Sequence, residues 1–242
     1  MYKRQCILGA LPRLKKTGHF RYGMLIAAGI VLLVLTRPYE GMLLCLPVAA
    51  SLGYWVIKGK NRPTPRLLLA RAIVPLALVA AGLAWLGYYD QQNFGKAMTL
   101  PYTVNRATYA MAPYFAWQSA RPEPAYHHAS MRRFYYESEL KIFNKSHQPQ
   151  NYLPIAGVKV LSTLLFYAGI ALFPPLVMLR RVFKDRRMRF LTISLLVMIV
   201  GMAIQIYLIP HYLAAFTALF YALGLQAMRH LRLMKTNGRP SA

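Results

Sequence analysis

Two short polar runs could do chemistry in an otherwise oily chain. The first is Thr36-Arg37-Pro38-Tyr39-Glu40-Gly41, which sets a guanidinium, a phenol and a carboxylate side by side. An arginine fork grips a phosphate through two parallel N–H donors, so Arg37, Tyr39 and Glu40 suit an anionic headgroup. The same residues could instead form an Arg37–Glu40 pair that ends one helix and starts another. The second run is Ile209-Pro210-His211-Tyr212. There His211 can donate to a phosphate or cap a tight turn, with the Tyr212 phenol beside it.

Other chemistries find little support. His127-His128 with Glu123 invites a metal reading, but adjacent histidines on a helix point about 100° apart, and the productive helical ligand spacing is i,i+4. A solvated pair is expected. Glu137 and Glu139 are two apart and face different ways on a helix, which makes them poor partners for acid/base work. Cys6 and Cys45, the two cysteines, cannot make a disulfide framework or a four-ligand zinc site. No Gly-rich phosphate loop, nucleophile elbow or Cys-x-x-Cys occurs, so no metal, cofactor or catalytic residue is assigned.

What must position the two runs is set by composition. Of 242 residues, 57% are hydrophobic and 15% charged, and mean hydropathy is +0.32. A soluble globular chain is about 45–50% apolar and about 25% charged, so the expectation is an all-α, polytopic transmembrane bundle. Six apolar stretches, 22–36, 41–57, 72–89, 157–179, 190–209 and 212–228, approach the roughly 20 residues a spanning helix needs. The first is short, about 22 Å at the helical rise. It is read as a span and not as half of a re-entrant hairpin with 41–57. A hairpin would bury Arg37 at mid-membrane, where arginine costs about 2.5–3.5 kcal/mol. Arg37 and Glu40 are then expected near the outer headgroups. Lys159, close to a span end, is expected to snorkel.

Charge sorts with the spans. Lys and Arg number 30 against 6 Asp and Glu, a formal charge of +24. Segments 1–21, 58–71, 180–189 and 229–239 hold 21 of the 30, and five of the six acids fall in the alternate connections. Short cytoplasmic loops retain Lys and Arg, so six spans with both termini cytoplasmic satisfy every segment. The surplus charge is then topogenic, with anionic membrane lipids as partners and no nucleic acid.

The resulting organisation is a basic cytoplasmic segment 1–21, three spans in 22–89, an outer loop 90–156, three spans in 157–229 and a cytoplasmic tail 230–242. The outer loop exceeds the roughly 12–15 residues of an unstructured connection and is rich in rings, among them Tyr102, Tyr109, Tyr114, Trp117, Tyr135 and Phe143. Residues 124–143 are expected to form an interfacial amphipathic helix, with Met131, Phe134, Tyr135 and Ile142 on one face. Arg133–Glu137 and Glu137–Lys141 make i,i+4 pairs on the other. A soluble helix packed on its own segment fits the pattern equally well. Residues 100–120 contain Pro101 and Pro113, which exclude one continuous helix.

Several motifs carry a resemblance: Ala10-Leu11-Pro12-Arg13-Leu14, Arg37-Pro38-Tyr39-Glu40-Gly41, Leu100-Pro101-Tyr102 with Asn105-Arg106, Ala112-Pro113-Tyr114-Phe115 and Pro210-His211-Tyr212. From about residue 9 to 232 the chain resembles bacterial GT-C-type membrane glycosyltransferases. The resemblance implies a polyprenyl-phosphate sugar donor, inverting transfer at the outer face of the inner membrane, and an acidic catalytic residue in the first outer loop. Here that connection holds only Glu40, so the chain resembles the non-catalytic C-terminal module of such a protein. Arg37, Tyr39, Glu40, Arg106, His211 and Tyr212 are the residues expected to contact donor or support the outer loop. Met1-Tyr2-Lys3-Arg4-Gln5 can be translated from a transposase adaptor end (GTG TAT AAG AGA CAG, with GTG as start), which suggests a sequencing scar on a truncated reading frame. The alternative from another class is a small stand-alone transporter or scaffold, against which stands the scarcity of polar residues within the spans.

Overall fold

The computed structural model describes residues 5–59, 62–169 and 173–233, together with the backbone of a two-residue antiparallel pair, Lys235–Thr236 with Arg239–Pro240. The described residues are 80% helical. In chain order the α-helices are α1 (Gln5–Thr17), α2 (Phe20–Thr36), α3 (Pro38–Lys58), α4 (Pro65–Phe94), α5 (Pro101–Tyr109), α6 (Ala129–Arg132), α7 (Leu140–Ser146), α8 (Pro149–Ala168), α9 (Phe173–Leu176), α10 (Leu179–Lys184), α11 (Arg189–Ile204) and α12 (Thr217–Arg232). A π-helical turn, Arg133–Glu139, joins α6 to α7, and 3-10 segments precede α11 and α12.

Among the described residues, three helices are long and apolar enough to cross a membrane: α3, α4, and Arg186–Ile204, in which the 3-10 turn runs into α11. The apolar α2 is shorter. The most hydrophobic stretch of α4 is mostly exposed, with Ile73, Val74, Leu76 and Trp85 open on its surface. An apolar surface of that extent belongs in lipid or against a partner. The stretch 157–179 is not one helix, because α8 ends at Ala168 and Gly169 adopts a left-handed φ of 57°. Likewise 212–228 is divided between the 3-10 segment Pro210–Phe216 and α12.

The residues cluster into two compact units. The first takes Met1–Gly82, Thr163–Met198 and His211–Ala242; the second takes Leu83–Ser162 and Ile199–Pro210. In the first, α1 lies on α2 with Ile7, Ala10 and Leu11 buried. Gly29 permits that approach, since a Cβ added there would come within 2.6 Å of Ile7 Cγ1. Phe216, Leu219, Leu44, Val48 and Val182 complete its core. At the α1–α2 corner Gly18 takes a left-handed φ of 63°, and its carbonyl accepts from Arg71 Nη1 at 2.7 Å.

In the second unit, Pro101 occupies the first turn of α5, where its missing N–H costs nothing. The chain leaves the helix at Ala110, and Phe115 bridges Gln205: Ala116 N–H donates to Ile204 O and Ile206 N–H to Tyr114 O. Ala112, Phe143 and Ile206 form the core there.

The amphipathic helix expected over residues 124–143 differs from that expectation in three ways. It begins at Ala129, because the residues before it are held outside a helix: His128 is extended, the Tyr126 hydroxyl donates to Tyr109 O, and Arg132 reaches back to Glu123 at 3.0 Å. Its buried side is Tyr135, Glu139 and Phe143, while Phe134 and Ile142 are exposed. Finally, Arg132 pairs with Glu137 at 3.4 Å in place of the two expected i,i+4 pairs. The five-residue spacing matches the wider π-turn repeat. Lys159 does not snorkel either: its ammonium donates to Gln205 O, which turns it inward.

Candidate functional site

The first cluster is built by a proline. A residue before proline is pushed out of the α region, and Arg37 accordingly has φ −148° and ψ 72° between α2 and α3. Pro38 then starts α3 at a position where no N–H is needed. The joint is closed by Arg37 N–H donating to Leu33 O (2.7 Å) and Gly41 N–H donating to Arg37 O (2.8 Å). Gly41 lets the two helices meet, because an added Cβ would lie 2.8 Å from Leu33 Cβ. The sequence therefore delivers the Arg37 guanidinium to the tip of a tight helical hairpin.

Tyr212 reaches the same place from the 3-10 segment Pro210–Phe216. The Arg37 guanidinium carbon sits over its ring, 4.2 Å from the centroid, a cation–π contact worth about 0.5–2 kcal/mol depending on desolvation. His211 meets the Tyr212 ring edge-on, centroids 4.8 Å apart, and is itself exposed. Among the described residues Arg37 makes no ion pair with Glu40, and no side-chain hydrogen bond engages its guanidinium. Its forked donors are therefore uncommitted among the described residues.

Glu40 is 2% exposed, and its Oε1 has no hydrogen-bond partner among the described residues. It stands in the first turn of α3, where the positive end of the helix dipole favours an acid. The expected position near outer headgroups does not mean exposure to water for this carboxylate. Tyr39, between the two, is half-buried.

Arg106 belongs to the second unit and has a different environment. Its Nη1 donates to Glu139 Oε1 at 2.8 Å and its Nη2 to Ala112 O at 2.6 Å, with the Tyr114 ring 5.7 Å away. Glu139 is 1% exposed and its Oε2 has no partner among the described residues. Burial raises the Glu139 pKa above the usual carboxylate value, while Arg106 opposes the rise. Tyr135, stacked parallel to Tyr109 with centroids 6.1 Å apart, donates to Asn105 Oδ1. Arg106 also borders an open cavity of about 170 Å³ lined by Tyr102, Tyr114, Gln118 and Arg121.

The structure thus gathers Arg37, Tyr39, Glu40, His211 and Tyr212 in the first unit and engages Arg106 as a structural cation of the second. His127 and His128 are exposed, and Glu123 is committed to Arg132. Among the described residues no three His, Cys, Asp or Glu side chains gather as a metal site would require.

Sequence reasoning missed three buried polar residues. Glu139 was set aside for its spacing from Glu137. Asp90 is 0% exposed with both carboxylate oxygens unpartnered among the described residues, and Gln205 is buried with its amide unpartnered. A lone acid near the end of an apolar run was the available signal for Asp90, since such residues in membrane segments are costly. No family model, curated protein or solved structure matches this chain.

Proposed function

We propose that the chain is the non-catalytic membrane module of a lipid-linked-sugar-dependent glycosyltransferase, and that Arg37 grips the phosphate of a polyprenyl-phosphate donor. In this reading it sits in a bacterial inner membrane with both termini cytoplasmic. The six apolar stretches all cross, and those at 157–179 and 212–228 do so as broken helices whose freed backbone groups are satisfied by packed neighbours. The chain binds and positions; the acid that would perform transfer lies outside it.

One observation carries the reading. Arg37 is held at a hairpin tip by Pro38 and stacked on Tyr212, while its N–H fork has no partner in the described chain. A stacked, pre-oriented guanidinium with open donors is suited to a phosphate, because little side-chain freedom is lost on binding. His211, exposed beside Tyr212, can add a donor to the same anion.

The test is polyprenyl-phosphate binding by the whole chain in nanodiscs. Hydrogen bonds to charged groups are worth about 1.5–3 kcal/mol, so Arg37→Ala should weaken binding at least about tenfold. Arg37→Lys keeps the charge but not the fork, and should recover only part of the loss. Unchanged affinity in Arg37→Ala removes the phosphate role, and substrate flux through liposomes holding this chain alone would favour a transporter.

A further inference from the structure

A second candidate site lies within the first unit, away from the α2–α3 joint. The α1–α2 corner, the last turns of α3 and the start of α4 border an open cavity of about 240 Å³. Its wall is almost wholly apolar, with Phe20, Ile26, Ile30, Trp55 and Leu76 among the lining side chains and Arg71 the one charged group among the described residues. Apolar hollows of this kind accommodate apolar guests.

The rim has a definite sign. Arg71 bonds to Gly18 O, which fixes its guanidinium at the α1–α2 corner. On either side of Gly18 in sequence stand Lys16, in the last turn of α1, and Arg21, in the first turn of α2; both are exposed. The unit's two acids among the described residues lie elsewhere: Glu40 is at the opposite end of α3, and Asp185 accepts from Gln226 at 2.9 Å. Nothing negative in the described chain neutralises the corner.

We propose that this cavity binds one acyl chain of an anionic phospholipid, with its phosphate at Arg71 and the Lys16 and Arg21 charges beside it. A tail already in the bilayer gains little by moving from lipid into an apolar wall, so selection must come from the headgroup. Basic pockets between membrane helices select in this way. The Trp55 ring lines the cavity, and its indole N–H has no acceptor among the described residues.

Trp55 also supplies the probe. The chain has three tryptophans, so Trp85→Phe/Trp117→Phe leaves Trp55 as the only one. This variant is placed in phosphatidylcholine nanodiscs containing about a tenth of dibromo-acyl phosphatidylglycerol, or the same fraction of dibromo-acyl phosphatidylcholine. The anionic lipid should quench Trp55 fluorescence about fivefold more strongly, the preference expected for about one basic side chain at the surface. Adding Arg71→Gln should bring the ratio toward one. Adding Ala72→Phe, which fills the cavity and leaves every charge in place, should abolish the selective quenching. A ratio near one in the parent, or a ratio that either substitution leaves unchanged, overturns the site.

Discussion

Replacing Arg106 by Ala should destabilise the second unit at neutral pH and progressively less as the pH is lowered. The size of the effect follows from two hydrogen bonds. Nη1 serves Glu139 Oε1 and Nη2 serves Ala112 O, and both acceptor residues are 1% exposed. Removing the guanidinium strands both acceptors, at about 1.5–3 kcal/mol for a hydrogen bond involving a charged group. The total agrees with the about 3–5 kcal/mol found when one member of a buried ion pair is deleted. The Glu139 share can be recovered by protonation. In the intact protein burial already holds its pKa above the ordinary 4.5. The native state therefore binds more protons than the unfolded chain between that value and the raised one, and stability falls as pH rises through the window. Without Arg106 the opposing influence is lost, so the window extends upward and the pH dependence steepens. Glu139→Gln should flatten it. The assay is unfolding in mixed micelles of dodecyl sulfate and a mild detergent across pH, followed by near-UV circular dichroism, on Arg106→Ala, Glu139→Gln and the double variant. If Arg106→Ala costs under about 0.5 kcal/mol at pH 7, or if Glu139→Gln leaves the slope unaltered, the pair is not the buried strut inferred here.

Two further predictions concern the hairpin and its membrane setting. Gly41→Ala places a Cβ 2.8 Å from Leu33 Cβ and should cost about 1–3 kcal/mol by overpacking; polyprenyl-phosphate affinity should fall with it, and a neutral stability effect in the same micelle assay would show that the joint is looser than described. Six crossings with both ends inside predict that single cysteines introduced at Thr64 and His127, in a Cys6→Ser/Cys45→Ser background, react with an impermeant maleimide from opposite sides of the membrane. Labelling of both from one side would exclude that topology.

Local sequence carried much of what matters at the hairpin. Arg37-Pro38 dictates a helix break, with Pro38 opening α3, because proline restricts both itself and the residue before it. The helical content and the oily runs of α2, α3, α4 and α11 were equally legible, since apolar length is a property of contiguous residues. Local rules gave less warning of Gly169 and of the 3-10 segment before α12, where hydropathy stays high although the helix stops. Over residues 124–143 periodicity misplaced the buried face, because it counts Glu139 as a solvent residue.

The chain's composition, its apolar runs and the Arg37-Pro38 pair thus set by themselves its helical class, its membrane-length helices and the place where α2 ends. Only the tertiary structure decided that Arg37 stacks on Tyr212, that Glu139 is drawn inward by Arg106, that Lys159 bonds to Gln205 and that an apolar cavity opens beside Arg71. Each of these contacts joins residues far apart along the chain. Helical propensity and hydropathy act over neighbouring residues, whereas ion-pair choice and cavity shape depend on which helix faces pack together.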